Sequence, residues 1–224
     1  MDIQYKSSPN YSSREGHKIV AIVNHITAGS FEGAVSWLCN PESQASAHYV
    51  VSRKGEVVQL VRDEYKAWHA GQVNRPNWPL YVGNNPNLIT LGIEHEGYRG
   101  AGLDGDLTEP QYQATLALHK TLIAKHNIIV DRDRIIGHYR IDSVNRPNCP
   151  GPKFPWDRLF KDLSPAPKPQ GPFIDVPVDH WAVEFIQRVK LSEVMKGYSD
   201  GTFKPDQPVT RAELAAVLSR LDEN

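Results

Sequence analysis

Ile19-Val20-Ala21-Ile22-Val23-Asn24-His25-Ile26-Thr27-Ala28-Gly29 is the stretch on which the fold turns. Ile19–Val23 is a short unbroken apolar run, the pattern of a buried strand. His25 follows where that run gives out. Two later segments repeat the arrangement: Ile89–Glu94, an apolar strand ending in a carboxylate, and Ile135–Gly137, a strand leading directly into His138. Ends of neighbouring strands are places where groups distant in sequence meet on one rim.

Working outward, Glu32–Leu38 predicts a short helix stopped before Pro41. His48–Ser52 and Glu56–Leu60 flank Arg53-Lys54-Gly55 as a hairpin. Thr108-Glu-Pro-Gln111 has the form of a capping box with proline in the first turn. Tyr112, Thr115, Leu116, His119, Leu122 and Ile123 then fall at helical spacing. Strands alternating with helices predict an α/β fold, a mixed central β-sheet flanked by helices.

The chain has 224 residues, with 40% hydrophobic and 23% charged residues, ordinary for a globular protein. A net charge of −1 gives no basic field for nucleic acid. No apolar run approaches the ~20 residues of a membrane span. Met-Asp-Ile-Gln-Tyr-Lys lacks the basic-then-apolar pattern of a signal peptide, so the expectation is release by another route or a trimmed leader. Ser164-Pro-Ala-Pro-Lys-Pro-Gln-Gly-Pro172, with four prolines, favours an extended spacer. The expected division is 1–163, a linker at 164–172, and a small module at 173–224. The last 61 residues hold 7 Lys+Arg and 9 Asp+Glu, so neither part is a polyelectrolyte.

His25, His138 and Cys149 form a set of two imidazoles and one thiolate. Such a set leaves one tetrahedral position of a zinc ion open, the pattern of catalytic rather than structural zinc. Such a metal activates water and polarises a carbonyl. A lone histidine is more often a hydrogen-bonded structural residue, and that is the reading for His48, His69, His95, His119, His126 and His180, with His17 in an exposed loop. Cys39 is read as a small buried hydrophobe rather than a disulfide partner of Cys149.

Several separated segments carry a resemblance: His25-Ile-Thr-Ala-Gly, Ser46-Ala-His48-Tyr-Val-Val, Gly55-Glu-Val-Val-Gln-Leu, Ala67-Trp68-His69-Ala-Gly, Leu91-Gly-Ile-Glu94, Gly137-His138 and Cys149-Pro-Gly. In this order, over roughly residues 15–162, the chain resembles the type 2 N-acetylmuramoyl-L-alanine amidases, which include phage lysins and peptidoglycan-recognition proteins. The resemblance implies hydrolysis of the amide between the lactyl group of N-acetylmuramic acid and L-alanine. It implies one zinc held by His25, His138 and Cys149, with Glu94 as general base; Glu96 is the second candidate for that base. Many members place Lys or Thr two residues before the third ligand, where Pro147 stands here. Arg146 or Asn148 are the candidate replacement donors. Trp68 and His69 are candidate substrate contacts, Trp68 equally a core residue, and Trp78 a candidate sugar-stacking residue.

The tail shows Phe173-Ile-Asp-Val-Pro-Val-Asp-His180-Trp181, then Ala182, Phe185, Ile186 and Val189 on one helix face, an Asp200-Gly201 turn, and a Thr210-Arg-Ala-Glu213 capping box. It resembles a single S-layer homology module, a small helical unit. That implies anchoring to anionic secondary cell-wall polymer through Arg211, with Trp181 and Gly197 shaping the site. Such modules usually come as three tandem copies, so a homotrimer is one expectation and weak binding by one copy another. Together these imply a wall-lytic enzyme acting on peptidoglycan at the bacterial cell wall, a phage or prophage endolysin, or a bacterial autolysin. Two alternatives remain open: a non-catalytic peptidoglycan receptor, and a cysteine peptidase with Cys149 as nucleophile.

Overall fold

In chain order the first unit holds β1 (Gln4–Tyr5), β2 (Tyr11–Ser13), β3 (Ala21–Ile26), α1 (Phe31–Leu38), β4 (Tyr49–Val51), β5 (Val57–Gln59), β6 (Tyr65–Ala67), β7 (Thr90–His95), α2 (Glu109–His126), β8 (Ile135–Gly137) and α3 (Trp156–Leu163). This is a computed structural model that describes residues 2–98, 104–164 and 170–222. The chain divides into two units, 1–164 and 165–224.

Six strands form one mixed sheet in the order β1-β5-β4-β7-β3-β8. β4, β7, β3 and β8 run parallel, and β5 pairs antiparallel with β4 across the expected hairpin. The unbroken apolar run of β3 is explained by cover on both faces. Ile22, with Leu91 and Ile93 of β7, packs against Leu118 and Leu122 of α2. Ala21 and Val23 pack against Ala70, Trp78, Ile136 and Ile141 on the other face. Each large side chain so buried contributes about 1.5–3 kcal/mol, which holds the central strands in one register.

α2 starts where expected: the Thr108 hydroxyl accepts from the Gln111 amide at 3.3 Å. The expected reciprocal half of the box is absent. The Gln111 side chain turns inward and donates to the carbonyls of Val51 (3.1 Å) and Glu96 (2.9 Å), tying the helix to the ends of β4 and β7. A buried amide gains more from two sheet-end carbonyls than from an exposed cap. The helix stops at Asn127, left-handed at φ 53, whose N–H donates to Ile123.

The loop tryptophan Trp78 is a core residue, not a sugar platform. It is 4% exposed, and its indole N–H donates to the Asp133 carbonyl at 2.7 Å. Trp78→Ala is expected to cost about 3–5 kcal/mol of folding stability; urea denaturation checks this, and a cost below about 1 kcal/mol would return Trp78 to the candidate ligand contacts. His48 is structural: its Nδ1 accepts from the Gly92 amide, its Nε2 lies 2.8 Å from the Arg14 guanidinium and 3.1 Å from the Tyr65 carbonyl, and burial lowers its pKa to about 3. His95, His119, His126 and His180 likewise hold backbone or carboxylate partners, and His17 is exposed. Both cysteines are free, Cys39 only half-buried.

The second unit adds what a helical reading misses, a ribbon of β9 (Gln170–Phe173) and β10 (Val176–Pro177), before α4 (Val183–Leu191) and α5 (Arg211–Asp222). The expected linker falls largely outside the described residues, and its last three positions, 170–172, belong to β9. The core is small: Phe173, Val176, Ala182 and Ile186, with Val183 and Phe203 against it. Phe185, expected on the buried face of α4, is 60% exposed, because so narrow a core covers only one stripe of the helix. The Thr210–Glu213 box forms in full, the hydroxyl accepting from the Glu213 amide and the carboxylate from the Thr210 amide.

Candidate metal centre and cleft

The parallel strands β3, β7 and β8 deliver their C-terminal ends to one rim, the usual place for sites in such sheets. His25 is the fifth residue of β3 and stands in register opposite Glu94 of β7. His138 follows β8 without a gap. Cys149 arrives by a loop braced against that strand end: the Tyr139 amide donates to the Cys149 carbonyl at 3.2 Å. Gly137 leaves the space in which Pro150 packs, since a Cβ there would lie 2.8 Å from the proline ring. The adjacent Gly137-His138 and Cys149-Pro-Gly motifs therefore read as one packing unit.

One ligand atom each from His25, His138 and Cys149 lies within 4.8 Å of the others, and all three residues are buried. They share a cleft of about 450 Å³ with Glu94, Trp68, His69, Arg146 and one face of α1. A larger cleft of about 740 Å³ lies elsewhere, around Asp63, Lys125 and His126, and among the described residues it holds no group of ligands at metal-binding spacing.

The hydrogen bonds fix the tautomers. Thr90 gives its one hydroxyl proton to the Pro86 carbonyl (2.9 Å), so it accepts from His69 Nε2–H at 3.1 Å. Neutral His69 then accepts at Nδ1 from His25 Nε2–H, at 3.1 Å. His138 Nε2–H donates to the Ala70 carbonyl at 2.8 Å. Each ligand imidazole therefore turns an Nδ1 lone pair to the other, 3.0 Å apart. Burial, followed by the neighbouring His138, His69, His95 and Arg146 charges, holds the His25 pKa well below its ordinary value; burial also lowers that of His138. Two neutral rings in that posture repel unless both lone pairs serve one cation, so the residues present fit a metal. Two imidazoles and a thiolate are a donor set that suits zinc.

His69 therefore holds the His25 ring from behind, and it also lines the cleft. Gly92 makes this possible, since a Cβ there would sit 2.4 Å from the His69 ring. The glycine inside the Leu91-Gly-Ile-Glu94 strand was the available signal, and it points to this close approach. His69→Phe is expected to lower zinc affinity about 10- to 100-fold, measured by competition with a zinc-binding dye; unchanged affinity would make the His25–His69 bond incidental.

The other candidates separate. Glu96 is bound by the Arg53 amide at 2.7 Å and does not line the cleft, so Glu94 is the carboxylate of the site. Trp68 is half-buried with its indole N–H on Ser12 Oγ at 3.1 Å, and it lines the cleft. Arg146 is exposed on the cleft wall. Asn148 lines a neighbouring cleft of about 410 Å³ that shares Ile26, Arg146 and Cys149 with the first. In the second unit, Trp181 (81% exposed) stacks on His180 and Arg211 opens α5. Gly197 lines a cavity that includes neither of them. Its φ of +72° and a Cβ clash with Phe173 at 2.3 Å show that packing demands glycine there.

Two histidines, a cysteine and a carboxylate at the C-terminal rim of a mixed sheet are the equipment of a metal-assisted hydrolase. Comparison with known proteins gives that class its family. Residues 15–152 match the N-acetylmuramoyl-L-alanine amidase family, and residues 172–215 match the S-layer homology domain. N-acetylmuramoyl-L-alanine amidase A of Achromobacter lyticus is 30% identical over 171 residues, 69% of this chain and 88% of that protein. The 1,6-anhydro-N-acetylmuramyl-L-alanine amidase AmpD of Salmonella typhimurium is 38% identical over 117 residues, 52% of this chain and 56% of that protein. A solved AmpD selenomethionine derivative superposes with a TM-score of 0.54 at 28% identity, covering 72% of this chain and 93% of its own. The fold is also that of the Escherichia coli amidase AmiD, solved with anhydro-N-acetylmuramic acid-L-Ala-D-gamma-Glu-L-Lys (TM-score 0.55, 24% identity, 96% of this chain and 82% of that one). The chain belongs to the N-acetylmuramoyl-L-alanine amidase family and carries an S-layer homology domain after the catalytic unit. Among the described residues no helix is long and apolar enough to cross a membrane.

Proposed function

We propose that this amidase cleaves the bond between the lactyl group of N-acetylmuramic acid and L-alanine of the stem peptide, with one zinc held by His25, His138 and Cys149. The observation that carries the reading is the pair of Nδ1 lone pairs turned to each other at 3.0 Å beside a buried cysteine. Zinc, when bound, lowers the pKa of water and polarises a carbonyl. Glu94, in register with His25, takes the proton from the attacking water and passes it to the leaving amine. His69 and the Ala70 carbonyl hold the two imidazoles in the tautomers that expose Nδ1. Pro147 offers no side-chain donor, and the Arg146 guanidinium, on the wall of the same cleft, steadies the developing oxyanion in its place; Arg146→Ala with undiminished turnover would remove that role. Asn148, facing the neighbouring cleft, is better placed to meet the peptide.

A strong chelator separates this from the two other readings. Loss of lysis with rescue by zinc supports the amidase, lysis that survives chelation but not a thiol blocker supports a Cys149 peptidase, and wall binding without lysis supports a receptor. In the second unit Arg211 at the first turn of α5 meets the anionic polymer, aided by the helix N-terminus. Phe185 on α4 and Leu214, Leu218 and Leu221 on α5 are 46–60% exposed, apolar side chains that association of three chains would cover, and such association would raise avidity; light scattering that gives a strict monomer at high concentration would exclude it. Release as a phage or prophage endolysin, rather than as a bacterial autolysin, is the delivery we favour; a neighbouring gene for a membrane-lesion protein tests it.

A further inference from the structure

The cleft is chemically lopsided. On one side α1 presents Ala34, Trp37 and Leu38, at i, i+3 and i+4, beside Trp68. On the other, Arg146 and Cys149 open into the neighbouring cleft that reaches Asp104 and Asn148. Four of the five tryptophans lie in the first unit, and three have an evident structural use. Trp68 and Trp78 each donate an indole hydrogen bond, and Trp156 lies in ring contact with Phe154 and Phe160. Trp37 has none of these among the described residues, yet it is 57% exposed on the rim of the cleft that holds His25 and Glu94. An indole left in water with its N–H unclaimed is not explained by folding. Its flat apolar face and one polar edge match a pyranose ring, which offers C–H groups on its face and hydroxyls around its rim.

We propose that Trp37, with the small Ala34 beside it, is a carbohydrate subsite that holds the glycan extending from the muramoyl residue. The stem peptide, with its carboxylates, then leaves the scissile bond toward Arg146 and the second cleft. This rests on the proposed muramoyl–alanine cleavage, and it assigns the two halves of that substrate to opposite walls.

The test compares the full-length, zinc-loaded chain with Trp37→Ala and Trp37→Phe on two soluble substrates of identical peptide, one carrying a single muramoyl sugar and one a tetrasaccharide. Trp37→Ala is expected to raise KM for the tetrasaccharide substrate about three- to tenfold, with kcat and the single-sugar KM unchanged, while Trp37→Phe keeps most of the preference. Equal KM changes on both substrates, or none, would overturn the proposal. Fluorescence quenching by a peptide-free tetrasaccharide supplies a readout that needs no turnover. Quenching lost in Trp37→Ala supports the subsite even if the wild-type chain leaves the muramoyl–alanine bond intact. Quenching equal in both proteins, with normal cleavage, defeats the subsite alone.

Discussion

A Cys149→Ala chain is expected to fold, to carry no stoichiometric zinc, and to lose amide hydrolysis by about 10³-fold or more, the several kcal/mol of charge stabilisation that a Lewis acid supplies. Cys149 is buried, and its sulfur lies within 4.8 Å of the ligand nitrogens of His25 and His138. With the sulfur gone, two neutral imidazoles remain, too few donors to hold the ion firmly. Metal analysis after dialysis, circular dichroism and chromatographic assay of released peptide check the three parts separately. Cys39→Ala is the control: that thiol is half-buried at the edge of the Val35, Leu38 and Leu60 cluster, 3.9 Å from the Lys6 carbonyl, and does not line the cleft, so zinc content and rate should stay at wild-type values. Full activity in Cys149→Ala would end the metal assignment.

Glu94→Gln is expected to keep both zinc and fold while kcat falls about 10²- to 10⁴-fold, the range for loss of a positioned general base. KM should barely change, because the amide occupies the same volume opposite His25 in the β3–β7 register. Glu96→Gln should leave kcat near wild type, since that carboxylate is engaged by the Arg53 amide away from the cleft. If Glu96→Gln lost the activity and Glu94→Gln kept it, the assignment of the base would reverse.

What the sequence made legible was the frame. Ile135–Gly137 ends where its apolar run ends, and β3 and β7 each lie within two residues of expectation at their starts, because buried parallel strands are written as unbroken apolar runs. His25 and Glu94 fall at strand ends, and local pattern is enough to find them. What escaped depended on contacts between distant segments. Gln111 fits a capping box by spacing, but Val51 and Glu96 offer it buried carbonyls that no local pattern reveals. Trp78 sits in a polar stretch, yet the back of the sheet has a hollow it fills. Glu96 shares the sequence parity of Glu94, but the strand ends at His95 and the next residue turns to Arg53. His69 became intelligible only with Gly92 beneath its ring. Phe185 shares the apolar face of Ile186 by spacing, and only exposure tells the two apart.

The most direct measurement is mass spectrometry of purified peptidoglycan digested by the zinc-loaded chain. Intact glycan strands with lactyl carboxyl ends, and whole stem peptides with free L-alanine amino termini, are the products this chemistry requires. New reducing-end sugars, or stem peptides cut internally with L-alanine still attached to muramic acid, would contradict it.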